Sequence, residues 1–142
     1  MIQPMPLAYS ILPSLRLLCI RGWGVVTQPE RIETMREWLR DPSYPTCDDA
    51  LCDFSEASST PTMAELRGLV ELMAQQLPAQ GPRKLAIVTS KPITFVVAGE
   101  FKEFVEQAAV PLDVQVFADF QSGWKWLRPE ESADQKSAAS HG

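Results

Sequence analysis

The chain has 142 residues, of which 45% are hydrophobic and 22% charged, with a formal net charge of −5 and a pI near 4.9. That is enough apolar material for the core of one domain. The acidic balance excludes nucleic-acid binding without a local basic patch, and the closest basic pair is only Arg83-Lys84.

No apolar run approaches the roughly 20 residues of a membrane helix, so stable membrane insertion is not expected. The N-terminus has no charged region followed by an apolar stretch and a cleavage site. Three cysteines, Cys19, Cys47 and Cys52, make an odd number, two of them in strand-like contexts. This reads as reduced thiols and predicts a cytoplasmic protein.

In chain order, Leu7 to Leu12 and Leu15 to Arg21 read as antiparallel strands joined by a turn at Pro13-Ser14. The run Leu17, Leu18, Cys19, Ile20 suggests a strand covered on both faces, and Gly22-Trp23-Gly24 is expected to break it. Thr27-Gln28-Pro29-Glu30 is a helix start: Thr caps, Glu reaches back, and Pro sits where no donor is needed. Ile32, Met35, Trp38 and Leu39 form its apolar face, and Asp41-Pro42 stops it.

Leu51-Cys52-Asp53-Phe54 is a third strand, followed by a hydroxyl-rich loop. Thr62 and Glu65 repeat the capping pattern, and Leu66, Leu69, Val70, Met73 and Leu77 follow the helical period as far as Pro78. Lys84 to Thr89 predicts a buried strand. A helix is expected from about Ile93 to Ala109, with Val97, Phe101, Phe104, Val105 and Ala108 on one face. Asp113 to Ala118 is the last strand, and Phe120, Trp124 and Leu127 mark one face of a short final helix, with Trp126 pointing away. Residues 129–142 are too polar to offset the cost of ordering and predict a flexible tail after a domain spanning 1–128.

The order β-β-α-β-α-β-α-β-α implies an α/β single domain. Its mixed sheet has about five strands, antiparallel at first and parallel later, with about four helices. Strand order does not follow from the sequence.

This succession resembles the STAS superfamily, the fold of bacterial anti-sigma-factor antagonists, and is most similar to its SpoIIAA-like branch, near the CRAL-TRIO lipid-carrier fold. The resemblance rests on Tyr9-Ser10-Ile11 with Leu17 to Gly22, and on Gly24-Val25-Val26-Thr27 with its helix to Leu39-Arg40-Asp41-Pro42. It continues through Leu51-Cys52-Asp53-Phe54, Leu85-Ala86-Ile87-Val88, Thr94-Phe95, Val116-Phe117-Ala118-Asp119 and Trp126-Leu127. The antagonist branch is phosphorylated on a serine in an Asp-Ser-(Ser/Thr)-Gly context. The matching position is Thr62, flanked here by Pro61, Met63 and Ala64, so the hydroxyl alone is retained. The resemblance implies a non-enzymatic module acting by protein–protein interaction, with an unknown protein partner or a homodimer.

Four groups of residues stand out. Thr62 is either a phospho-acceptor or simply the cap of its helix. Ser55, Ser58, Ser59 and Thr60 from one loop, with Thr89, Ser90, Lys91 and Thr94 from the next, lie at the carboxyl ends of parallel strands. Ligands gather there, although loops favour Ser and Thr in any case. Trp23, between glycines, is an exposed partner anchor or a ring folded over the sheet end; Phe95 and Val96 would extend the same surface. Cys47 and Cys52 with Asp48, Asp49 and Asp53 have the wrong spacing for zinc, and neither metal nor cofactor is expected.

No Ser–His pair, phosphate loop or paired carboxylates point to catalysis. The leading expectation is the interaction module. The alternative is a binder of a small anionic or apolar, lipid-like ligand at the two loops. A buried apolar cavity beside those loops would favour the binder, and an exposed patch around Trp23, Phe95 and Val96 the module.

Overall fold

The computed structural model describes residues 6–129. Five strands, β1 (Leu7–Leu12), β2 (Leu17–Gly24), β3 (Asp49–Ala57), β4 (Lys84–Val88) and β5 (Asp113–Phe117), form one sheet in the order β1-β2-β3-β4-β5. β1 pairs antiparallel with β2, and every later pairing is parallel. Four helices complete the domain: α1 (Gln28–Arg40), α2 (Met63–Gln76), α3 (Pro92–Gln107) and α4 (Phe120–Leu127). The element order and mixed sheet are those the sequence predicts. The predicted tail lies outside the described residues, apart from Pro129.

The sequential strand order fixes where the helices go. Each parallel step moves one strand in the same direction, so right-handed crossovers put α1, α2 and α3 on a common face. Side chains alternate accordingly. Leu18, Ile20, Ala50, Cys52, Leu85 and Ile87 face the three helices, while Leu17, Leu51, Ala86 and Val88 pack on the opposite side with Leu127 of α4.

α4 is held from its end. The Arg128 guanidinium Nε lies 3.3 Å from Asp49 Oδ2, its Nη2 donates to the Leu15 carbonyl, and its plane sits 5.8 Å from the Trp124 ring. Trp126 does not point away as expected: it packs on Phe117 at 5.7 Å with Lys84 Nζ 5.1 Å from its ring. A short helix on a broad sheet covers more of it by laying down both indoles, each half-buried.

Helix termini obey local chemistry. Thr27 and Thr62 both complete capping boxes with Glu30 and Glu65. Strand limits do not. Gly22-Trp23-Gly24 continues β2 instead of breaking it, and β3 runs on to Ala57, the two staying paired through a register shift between Arg21 and Trp23. Gly22 is needed where the strands pass Phe54: a Cβ there would sit 2.9 Å from Phe54 Cδ1. On α3, the predicted Val97, Phe101, Phe104 and Val105 pack on the core, and the face extends further towards the helix start. Thr94 and Ala98 are buried as well, while Ala108, just past the helix end at Gln107, is exposed.

Candidate functional site

The carboxyl ends of β3 and β4 carry the loops picked out by sequence, and hydrogen bonds stitch these loops to each other and to the loop after β2. The Ser58 N–H donates to the Gly24 carbonyl at 2.8 Å. Ser59 Oγ accepts from the Val26 N–H and donates to the Val26 carbonyl. Lys91 Nζ donates to the Ala57 carbonyl, so the cation expected to meet an anion is engaged with the β3 loop.

The eight loop residues divide into distinct roles. Ser55 lies within β3, with its N–H donating to Asp53 Oδ1. Ser58 and Ser90 are exposed. Thr89 is fully buried, and its Oγ1 accepts from the Lys91 N–H. Ser59, Thr60 and Thr94 line a common cavity. Thr62 is exposed, with Oγ1 accepting from the Glu65 N–H at 3.1 Å and its own N–H donating to Glu65 Oε1 at 2.9 Å. Trp23 is half-buried, with the Arg21 guanidinium 5.6 Å from its ring. Phe95 and Val96 are exposed, 44% and 63%, and stand with Val25 and Ile93, both 67%, on loops and helix starts at this end of the sheet.

The cavity holds about 150 Å3 between the sheet and the three helices. Leu18, Ile20, Cys52 and Ile87 form its floor; Met35, Leu69 and Ala98 form its roof. Beside the β3 loop the lining turns polar, at Ser59, Thr60 and Arg31. Among the described residues no carboxylate or imidazole lines it. Burial pushes the Cys52 thiol well above its ordinary range, which keeps it protonated and unreactive. Among the described residues no cluster of three His, Cys, Asp or Glu side chains could hold a metal ion.

Arg31 is the residue that sequence reasoning passed over. It lies four residues before Met35 and seven before Trp38, on the stripe that α1 turns towards the core. A cation at that spacing was the available signal. Its side chain is 12% exposed. Desolvation lowers its pKa, opposed by the charges of Glu65 and Glu30, and it remains a cation at neutral pH.

No family model matches the sequence, and no curated protein matches it. Among solved structures, the chain is similar to an uncharacterized protein of the DUF3478 family with a SpoIIAA-like fold from Shewanella loihica PV-4. The TM-score is 0.55 at 16% identity, covering 89% of this chain and 98% of that one. Among the described residues no helix is long and apolar enough to cross a membrane. The chain has a SpoIIAA-like α/β fold, with an apolar cavity between its sheet and its helical layer.

Proposed function

We propose that this SpoIIAA-like module is non-enzymatic and takes up a small apolar ligand between its sheet and helices. The observation that carries the reading is the cavity beside the β3 loop. An engineered cavity of about 150 Å3 lined by Leu, Ile and Phe stays dry and admits benzene, so a space of this size and lining suits a ligand of similar bulk. The lining supports binding over catalysis: it offers hydroxyls, a guanidinium and a protonated thiol, but no group poised as a general base.

The test is native mass spectrometry of freshly purified protein alongside thermal unfolding with added 1-hexanol. Co-purified mass lost on denaturation, or a melting temperature that climbs with hexanol concentration as linkage requires, is the expected result. Bare protein with an unchanged melting temperature would overturn the reading.

A second reading is favoured by Val25, Ile93, Phe95 and Val96, an exposed apolar group at the same end of the sheet. It supports a protein-interaction module, self-associating or with another partner. Under that reading, Ile93→Lys would shift a concentration-dependent oligomer towards monomer in light scattering. A wild-type chain that stays monomeric across the concentration range would remove the homodimer.

A further inference from the structure

We propose that the ligand carries a carboxylate on its apolar body and that Arg31 receives it. This rests on the apolar-ligand reading and names the ligand's class. Arg31 lines the cavity with its side chain 12% exposed, and a guanidinium held in apolar surroundings is costly unless an anion offsets it. Within the protein that offset is incomplete. Among the described residues, the Arg31 guanidinium donates from Nη1 to Gln28 Oε1 at 3.2 Å, and its ion-pair contact, with Glu65 Oε1, is at 4.0 Å, beyond hydrogen-bond range.

The carboxylates nearest in charge are both committed elsewhere. Glu65 Oε1 accepts from the Thr62 N–H, and Glu30 Oε1 accepts from the Thr27 N–H and the Thr27 hydroxyl. Each is already engaged in a capping box through that oxygen. The guanidinium keeps the fork of donors that a carboxylate matches in bidentate fashion. Thr60 lines the same cavity. The apolar remainder would lie over Leu18, Ile20 and Cys52, with room for roughly the six carbons of benzene.

Hexanoate and 1-hexanol separate the acid head from the apolar body, because they share a chain and differ in charge. Isothermal titration of the full chain with each, at neutral pH, is the experiment. The wild type is expected to bind hexanoate about tenfold or more tightly than hexanol. Arg31→Met should bring hexanoate down to the hexanol level while leaving hexanol binding in place, which also reports that the variant is folded. Arg31→Gln, which keeps a polar head, serves if the methionine variant does not fold. Equal binding of the two ligands by the wild type would overturn the acid head and leave the apolar-ligand reading standing. Binding of neither would overturn both. A hexanoate preference that survives in a folded Arg31 variant would overturn the role of Arg31.

Discussion

Ser59 Oγ accepts a hydrogen bond from the Val26 N–H at 2.8 Å and donates one to the Val26 carbonyl at 3.2 Å. One hydroxyl therefore satisfies both backbone groups of a buried residue and joins the loop after β2 to the loop after β3. Ser59→Ala removes both bonds and leaves the Val26 N–H without this acceptor. The expected cost is about 1–2 kcal/mol, read as a lower urea midpoint at unchanged m-value. A change below about 0.5 kcal/mol would mean that water replaces the hydroxyl without loss, and that the two loops are not held by this side chain.

Thr62 and Thr27 occupy equivalent capping boxes, so alanine at either should cost about 1 kcal/mol. Thr62→Asp keeps an acceptor at the cap and adds charge near a helix N-terminus, so it should recover most of that loss. Equilibrium unfolding of the three variants tests this. A Thr62→Ala variant as stable as the wild type would remove the cap as the reason for a hydroxyl there, and would turn attention to its modification.

The caps were legible because their chemistry is contained in four consecutive residues. The order of elements was legible for a similar reason: apolar periodicity and proline positions are local. What escaped the sequence depends on partners far along the chain. β3 reaches Ala57 because β2 continues beside it through the register shift, so Ser55 belongs to a strand and not to the loop. The cavity is a property of how three helices sit on the sheet, and no single segment encodes it. Arg31 lies between these cases: its place on the apolar stripe of α1 is in the sequence, but the space it faces is not.

Gly22 and Gly24 stand two residues apart and should fail differently. A Cβ on Gly22 would meet Phe54 Cδ1 at 2.9 Å, whereas a Cβ on Gly24 meets nothing within 4 Å but needs a backbone at φ +61°. Gly22→Ala is expected to cost about 1–3 kcal/mol through overpacking, and Gly24→Ala about 1–2 kcal/mol through the left-handed backbone alone. Trimming the ring distinguishes them. Phe54→Leu should lessen the penalty of Gly22→Ala in a double-mutant cycle and be additive with Gly24→Ala. Additivity in both cycles would show that Phe54 does not set the requirement for glycine at position 22.

The two tyrosines of the chain make alkaline titration readable without mutation. Burial, the hydrogen bond to Asp41 Oδ2 at 2.9 Å and the charges of Asp41 and Glu37 push the Tyr9 phenol up to about 12. Burial, with a smaller contribution from Cys47, does the same for Tyr44. Both groups start from an ordinary value of 10.0, so the native state holds their protons more strongly than the unfolded chain does. The stability linked to them is therefore fully present below pH 10 and is lost as pH rises through about 12. Half-buried Cys19 and buried Cys47 and Cys52, each also raised, act in the same direction. The phenolate absorbance of the native protein should lag that of a free tyrosine derivative, and the urea midpoint should fall progressively above pH 10. Tyr9→Phe should remove part of that slope, because phenylalanine has no proton to lose. A native titration coinciding with the free amino acid would mean that neither phenol is held as its surroundings require.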